Sequence, residues 1–121
     1  AVDALTEGFN NTNLKIIEDG EFAEIRLKGL NNPDALSSVE KARFTVYVQN
    51  TVNVFTSMKR YHDVGVLPDS EWLAYSSGVA AIMNSAGGKW IGDGLATTPE
   101  VLAEFKKYEN SGSKYKWGVE D

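Results

Sequence analysis

Large apolar side chains recur every three to four positions along most of the chain, which is the spacing that places them on one face of an α-helix. This spacing predicts a first helix over residues 3–18, and Asp19-Gly20 is typical of a break. A second helix is predicted over residues 21–30, and residues 31–34 are typical of a turn. The apolar sets of these two helices are Val2, Leu5, Phe9, Thr12, Asn13 and Ile16, then Phe22, Ala23, Ile25, Leu27 and Leu30.

The third predicted helix has clear signals at both ends. Ser37 followed by Glu40 matches a capping box, in which each side chain bonds the other residue's backbone amide. Gly65 suits the left-handed position after a helix. The helix is therefore about 27 residues and about 40 Å long. Its Val and Thr residues favour a strand by propensity, but strands of this length are rare. Its large residues follow the helical period: Phe44, Tyr47, Val48, Thr51, Phe55, Met58 and His62.

Two further helices are predicted in the second half of the chain. Pro68 fits the first turn of the fourth, Gly87-Gly88 is predicted to end it, and residues 89–97 are predicted as a loop or short turn. Thr98 and the proline after it begin the fifth, which runs to about residue 110. Residues 111–121 have no period and either dock or are loose. The predicted inward residues of the fourth helix are Trp72, Tyr75, Val79, Ile82, Met83 and Ala86. Those of the fifth helix are Val101, Leu102, Phe105 and Tyr108.

These elements predict an all-α fold. The chain of 121 residues has the length of one domain, and its 42% hydrophobic content is enough to form a core. Without repeats or linkers, it reads as a single-domain bundle of about five helices over residues 1–121, with the long third helix at its centre.

Composition excludes several classes of function. The chain has no cysteine, which removes disulfides, thiolate chemistry and cysteine-ligated zinc, and leaves the compartment open. A net charge of −5 with scattered basic residues argues against nucleic acid as a partner. No apolar run has the length of a membrane span. The chain starts at Ala1, so a signal peptide, an anchor or a tag is an open interpretation.

The signals for chemistry each have a structural interpretation. His62 is the only histidine and falls on the apolar stripe, so we expect a structural role. A bundle metal site needs Glu-x-x-His, but Lys59 stands three residues before His62. The Glu100/Glu104 pair is predicted on a solvated face, and Gly87-Gly88 does not fit a phosphate loop. No catalytic residue, metal ligand or cofactor is predicted.

Two groups of residues remain as tentative site candidates. Arg43 and Asn50 flank the inward stripe, and with His62 they define a hypothetical ligand or enzymatic pocket between the first and third helices. Trp72 and Trp90 are predicted in the core, together with Tyr47, Phe55 and Tyr61. If exposed, such aromatic residues mark a partner surface.

An ordered series of residues runs from Asn13 to Phe105: Leu36-Ser37 with Glu40, Arg43-Phe44, Gly65-x-Leu67 with Trp72, and Gly87 or Gly88 with Trp90. The series resembles a family of uncharacterised bacterial helical domains, which typically follow one N-terminal transmembrane helix. Pro68 departs from the family, which commonly has a capping Ser or Asp there, and Ile91 replaces a frequent second Trp. The resemblance implies a helical domain held close to a membrane, with no established activity and no catalytic residue to carry over.

The sequence therefore favours a non-catalytic helical interaction module, tethered through a segment upstream of Ala1, that binds a protein partner or itself. The alternative is a small-molecule-binding or enzymatic domain using Arg43, Asn50 and His62. Nucleic acid is not an expected partner, and a membrane is expected only through the upstream segment.

Overall fold

The computed structural model describes residues 20–107, apart from the side chain of Asp93. This part of the chain contains helices and no strand, so the all-α prediction is confirmed. The predicted helix over residues 3–18, Tyr108 and the tail 111–121 lie outside the described residues. The helices are α1 (Gly20–Asn31), α2 (Ser38–Asp63), α3 (Asp69–Met83), α4 (Ala86–Ile91) and α5 (Pro99–Lys106), with 3-10 turns at Pro33–Ala35 and Gly92–Gly94.

The caps of α2 form as the sequence predicts. The Ser37 Oγ accepts a hydrogen bond from the Glu40 amide at 3.2 Å, and Glu40 Oε1 accepts one from the Ser37 amide at 2.8 Å. At the other end Gly65 has a φ of +82°, its amide donates to the His62 carbonyl, and the Val66 amide donates to the Tyr61 carbonyl. These two bonds form a Schellman motif. Side-chain caps at the start of the longest helix and backbone bonds around a glycine at its end therefore fix both ends locally.

The capping box makes part of the stability of α2 dependent on pH. The hydrogen bond from the Ser37 backbone amide holds the pKa of Glu40 below its ordinary value of 4.5. A lowered folded-state pKa contributes stability that is present above the unfolded-state pKa and is lost as the pH falls through the folded-state value. We expect the urea midpoint to fall between pH 6 and pH 3, and to fall less in Glu40→Gln, whose amide keeps the bond without titrating. Equal falls in both proteins would contradict this.

The inward face of α2 forms the centre of the core. Phe44, Val48, Val52 and Phe55 are completely buried. The Phe55 ring lies 5.2 Å from the ring of Trp72 on α3 and 4.8 Å from that of Phe105 on α5. Aromatic pairs at these separations add to the stabilisation that comes from burial. The Phe55 side chain thus joins α2, α3 and α5, in agreement with the prediction that this long helix lies at the centre of the bundle.

The prediction that Gly87-Gly88 ends the fourth helix is wrong. α3 ends earlier, at Met83, and Ser85 begins α4 by accepting a hydrogen bond from the Gly88 amide at 3.1 Å. Both glycines are buried inside α4, which also contains the first residues of the predicted loop 89–97. A Cβ on Gly87 would overlap the backbone oxygen of Gly29 on α1. The glycines are there for close packing between helices, and a sequence pattern cannot distinguish that role from helix termination.

Three predicted inward residues are placed differently. Leu27 and Leu102 are exposed, and Ala86 begins α4 instead of closing α3. Leu102 lies beside the buried Val101, and neighbouring positions on a helix are about 100° apart. Because only one side of the short helix α5 contacts the core, it buries only one of these two adjacent apolar residues.

Candidate functional site

His62 connects the end of α2 to the start of α3. Its Nε2 lies 2.7 Å from Asp69 Oδ1, and its ring stacks on the Trp72 ring with centroids 5.1 Å apart and planes 12° apart. Asp63 lies farther away, with Oδ1 at 3.8 Å from His62 Nδ1. The side chain of Asp69 is almost fully exposed, so this contact contributes little to stability. This is the environment of a half-buried histidine that holds two helix ends together.

The three residues of the hypothetical pocket do not converge. Arg43 forms an ion pair with Glu21 at 3.1 Å, and Asn50 is exposed. At about 1.5 Å per residue, Asn50 lies about 10 Å along α2 from Arg43 and about 18 Å from His62. The first predicted helix, which was to form the other wall, lies outside the described residues. Among the described residues, Arg43, Asn50 and His62 therefore do not line one pocket.

The two candidate tryptophans have different environments. Trp72 is buried in the core, as predicted. Trp90 is 42% exposed, and the Lys41 Nζ lies 5.8 Å above its ring centroid. The prediction of Trp90 as a core residue is wrong, because Gly87, Gly88 and Ile91 occupy the buried side of α4. Trp90 is thus exposed, and exposed aromatic residues are the kind that mark a partner surface.

Glu104 also differs from its prediction. It was expected on a solvated face with Glu100, but only 8% of Glu104 is exposed. Its Oε2 lies 2.7 Å from the Lys107 ammonium. A buried carboxylate needs a nearby opposite charge, which Lys107 supplies from the next turn. This pair is a structural feature of the C-terminal end of α5.

The side of α2 opposite the core carries an exposed face with little charge. We call it the α2 outer face; its residues follow steps of three or four: Val39, Ala42, Val46, Asn50, Asn53, Ser57, Arg60 and Val64. All are exposed except Ser57, which is partly buried. The solvent side of a long helix usually carries many charged residues, whereas this face has one. Apolar residues at helical spacing on such a surface are what a second helix contacts.

Neighbouring elements border the α2 outer face on both sides. On one side the Arg43–Glu21 ion pair brings the start of α1 to its edge. On the other side Gln49 Nε2 donates to the Ala96 carbonyl at 3.1 Å, and the Ala96 amide donates to Gln49 Oε1 at 3.0 Å. These contacts lie at the two edges of the face, at Arg43 and Gln49.

A small cavity lies at the C-terminal end of the α2 outer face. Its volume is about 240 Å³, and it is lined by Ser57, Arg60, Tyr61 and Val64. Pockets for drug-sized ligands are usually about 300–1,000 Å³, so this cavity matches one side chain better than a substrate. Arg and Tyr are the residue types that most often carry binding energy in protein interfaces.

Most charged residues around the α2 outer face are engaged with one another. Arg60 lies on the face, Arg43 at its edge is paired with Glu21, and the two carboxylates of α2 are also engaged. Glu40 is in the capping box, and Asp63 pairs with Lys59 at 2.7 Å.

Sequence reasoning missed this face, although a signal for it was present. Val39, Val46 and Val64 repeat at helical spacing outside the inward stripe, and a search for a second apolar period would have found them. Within residues 20–107 no group of three His, Asp or Glu side chains could hold a metal ion. No helix in the same part is long and apolar enough to span a membrane.

Comparison with known proteins adds no relative. No protein-family model matches the chain, and no curated protein or solved structure is significantly similar to it. The resemblance to membrane-linked bacterial domains therefore stays a prediction, and the all-α bundle is what the structure establishes.

Proposed function

We propose that this domain is a non-catalytic interaction module that binds a helix on the α2 outer face. The observation that carries the proposal is the exposed, nearly uncharged face at helical spacing along the longest helix. Val39, Val46 and Val64 are exposed apolar side chains, and a helix packed along this face would remove them from water. The small cavity beside Tyr61 would accept one apolar side chain of that helix.

The proposal includes a tether upstream of Ala1. Its support is the resemblance to domains that follow one transmembrane helix. The gene sequence upstream tests it: we expect a hydrophobic span of about 20 residues followed by basic residues. An upstream sequence without such a span would contradict the tether and would not affect the proposal about the binding face.

Site-specific photo-crosslinking in the full-length protein tests the binding face. Val46 on the α2 outer face is 59% exposed, and Leu73 on α3 is 60% exposed, so they form a matched pair. We expect a benzophenone amino acid at position 46 to crosslink to a helical segment, either of another protein or of this protein itself. The same label at position 73 is expected to give little product.

A binding measurement completes this test. When the segment crosslinked at position 46 belongs to another molecule, we expect Val46→Glu to weaken its binding at least about tenfold, because a charge replaces a buried methyl contact. Leu73→Glu is expected to leave the affinity unchanged. The proposal is overturned by no product at position 46, or by equal products at both positions.

A further inference from the structure

We propose that the α2 outer face binds the same face of a second copy of this chain, with the two α2 helices packed antiparallel about a twofold axis. This inference rests on the proposed function of the face and identifies the helix that it binds. Its basis is the symmetric spacing of the residues on the face, together with the shape of the small cavity and the positions of the charges.

The residues of the α2 outer face are spaced symmetrically about its centre. Counted outward, the symmetric pairs are Asn50 with Asn53, Val46 with Ser57, and Val39 with Val64. The second pair lies four residues out from the central asparagines on each side, and the third lies 11 residues out. In a twofold dimer residue i of one copy contacts residue j of the other, and j contacts i. An antiparallel pair with its axis between the two asparagines therefore brings Val39 against Val64 and joins the amides at the centre.

The cavity at the C-terminal end of the face has the arrangement of a hole for such packing. Its lining residues Ser57, Arg60, Tyr61 and Val64 occupy positions i, i+3, i+4 and i+7 of α2. Four residues at this spacing form the hole that receives one side chain of a facing helix in knobs-into-holes packing. In the antiparallel pair this hole is level with Ala42 of the second copy. The small apolar side chain leaves room there for the long side chains of the lining.

The two arginines near the face do not meet in this arrangement. Arg43 and Arg60 are about 100° apart around α2 at 3.6 residues per turn. Twofold antiparallel pairing brings each flank of α2 against the same flank of the second copy. On one flank Arg60 is therefore level with Ala42 of the second copy. On the other flank Arg43, held by Glu21, is level with Tyr61 of the second copy, and an arginine beside a tyrosine ring is a favourable contact.

The neighbouring elements at the edges of the face also favour the antiparallel direction. Both edge contacts, Arg43 with Glu21 and Gln49 with Ala96, lie in the N-terminal half of α2. Antiparallel pairing places this half opposite the C-terminal half of the second copy, so neither edge meets its own counterpart. A parallel twofold pair would instead bring identical residues to the same level, including Arg60 of both copies.

The contact between the two helices is small. α2 has 26 residues, so it is about 39 Å long, and a helix with its side chains is about 10 Å wide. A strip of this size covers about 400 Å² per copy, which is about half of a standard interface. We therefore expect a reversible dimer with a dissociation constant above about 1 µM.

Interchain disulfide trapping tests the pairing, because the chain has no cysteine of its own. Val46→Cys and Ser57→Cys are prepared as separate variants of the full-length protein and mixed. In the matched control, Ser77→Cys on the exposed side of α3 replaces Ser57→Cys. Oxidised glutathione accepts the two hydrogen atoms when the disulfide forms. We expect at least about tenfold more mixed dimer, identified by its intact mass, than disulfide dimer in the control mixture or in either variant alone.

The reason for the low yield of each variant alone is distance. In the antiparallel pair, position 46 of one copy is level with position 57 of the other, so two copies of position 46 are about 16 Å apart along the helices. Disulfides need Cα atoms within about 7 Å. Equal yields in the test and control mixtures overturn the second copy as the occupant. A dimer of Val46→Cys alone at the level of the test mixture overturns the antiparallel register.

Sedimentation equilibrium gives a second measurement without cysteine. We expect a monomer–dimer equilibrium whose dissociation constant rises at least about tenfold in Val46→Glu and is unchanged in Leu73→Glu. A monomer at every concentration up to about 1 mM overturns the inference. Photo-crosslinking at position 46 decides the proposed function separately. A crosslink there to a helix of a different protein, without a mixed disulfide, supports the binding face and overturns the second copy as its occupant.

Discussion

Gly87→Ala is expected to destabilise the domain by about 3 kcal/mol, near the upper end for adding a methyl group to a packed site. A Cβ at this position would overlap the Gly29 oxygen and lie 2.7 Å from the Phe44 Cζ. Of these obstacles, the Gly29 backbone cannot rotate away. The added methyl group therefore has to separate α4 from α1.

Gly78→Ala is the matched control for this prediction. Gly78 lies in the middle of α3, and a Cβ there would contact nothing within 4 Å. Alanine is better than glycine in a helix interior, so this variant is expected to gain about 0.5–1 kcal/mol. Urea denaturation followed by circular dichroism measures both variants. A free energy of unfolding for Gly87→Ala within about 0.5 kcal/mol of the parent would show that α1 and α4 do not pack as closely as described.

Phe55→Ala is expected to have the second large effect, a loss of about 3–5 kcal/mol. Phe55 is completely buried, and its ring contacts those of Trp72 and Phe105. Truncation leaves a cavity where α2, α3 and α5 meet. Because whole domains are stable by only about 5–15 kcal/mol, this variant is expected to be close to unfolding.

Leu73→Ala provides the comparison for the Phe55 result. Leu73 is a large apolar residue on α3, but it is exposed, so its truncation is expected to change the free energy of unfolding by less than about 0.5 kcal/mol. Thermal or urea denaturation at one pH measures both variants. A loss below about 1.5 kcal/mol for Phe55→Ala would contradict the central position of this ring in the core.

Much of the fold follows from signals that are local in sequence. The Ser37–Glu40 capping box, the Gly65 C-terminal cap and the Thr98-Pro99 start of α5 are all present where the residues predict them. In each case the interacting groups are a few residues apart, so their geometry does not depend on the rest of the chain. The inward stripe of α2 is similarly predictable, because residues three or four apart share a helix face whatever that face meets.

The candidate site was less predictable. The sequence grouped Arg43, Asn50 and His62, yet the structure pairs Arg43 with Glu21, exposes Asn50 and places His62 against Asp69 and Trp72. Periodicity gives the direction in which each side chain leaves its own helix. It does not give the side chains on the neighbouring helices that it meets, and those decide whether polar groups share a cavity.

By itself the sequence determined the all-α class, the course of the long helix and its ends, and the absence of cysteine chemistry. Tertiary structure alone decided that Gly87-Gly88 lies within a helix and that Trp90, Leu27 and Leu102 are on the surface. It also decided that the α2 outer face stays uncovered by the other described helices. The physical reason is one of range: caps and helical spacing act within a few residues. Close packing and exposure depend on which distant helix arrives and how near it comes, as the Gly29–Gly87 contact illustrates.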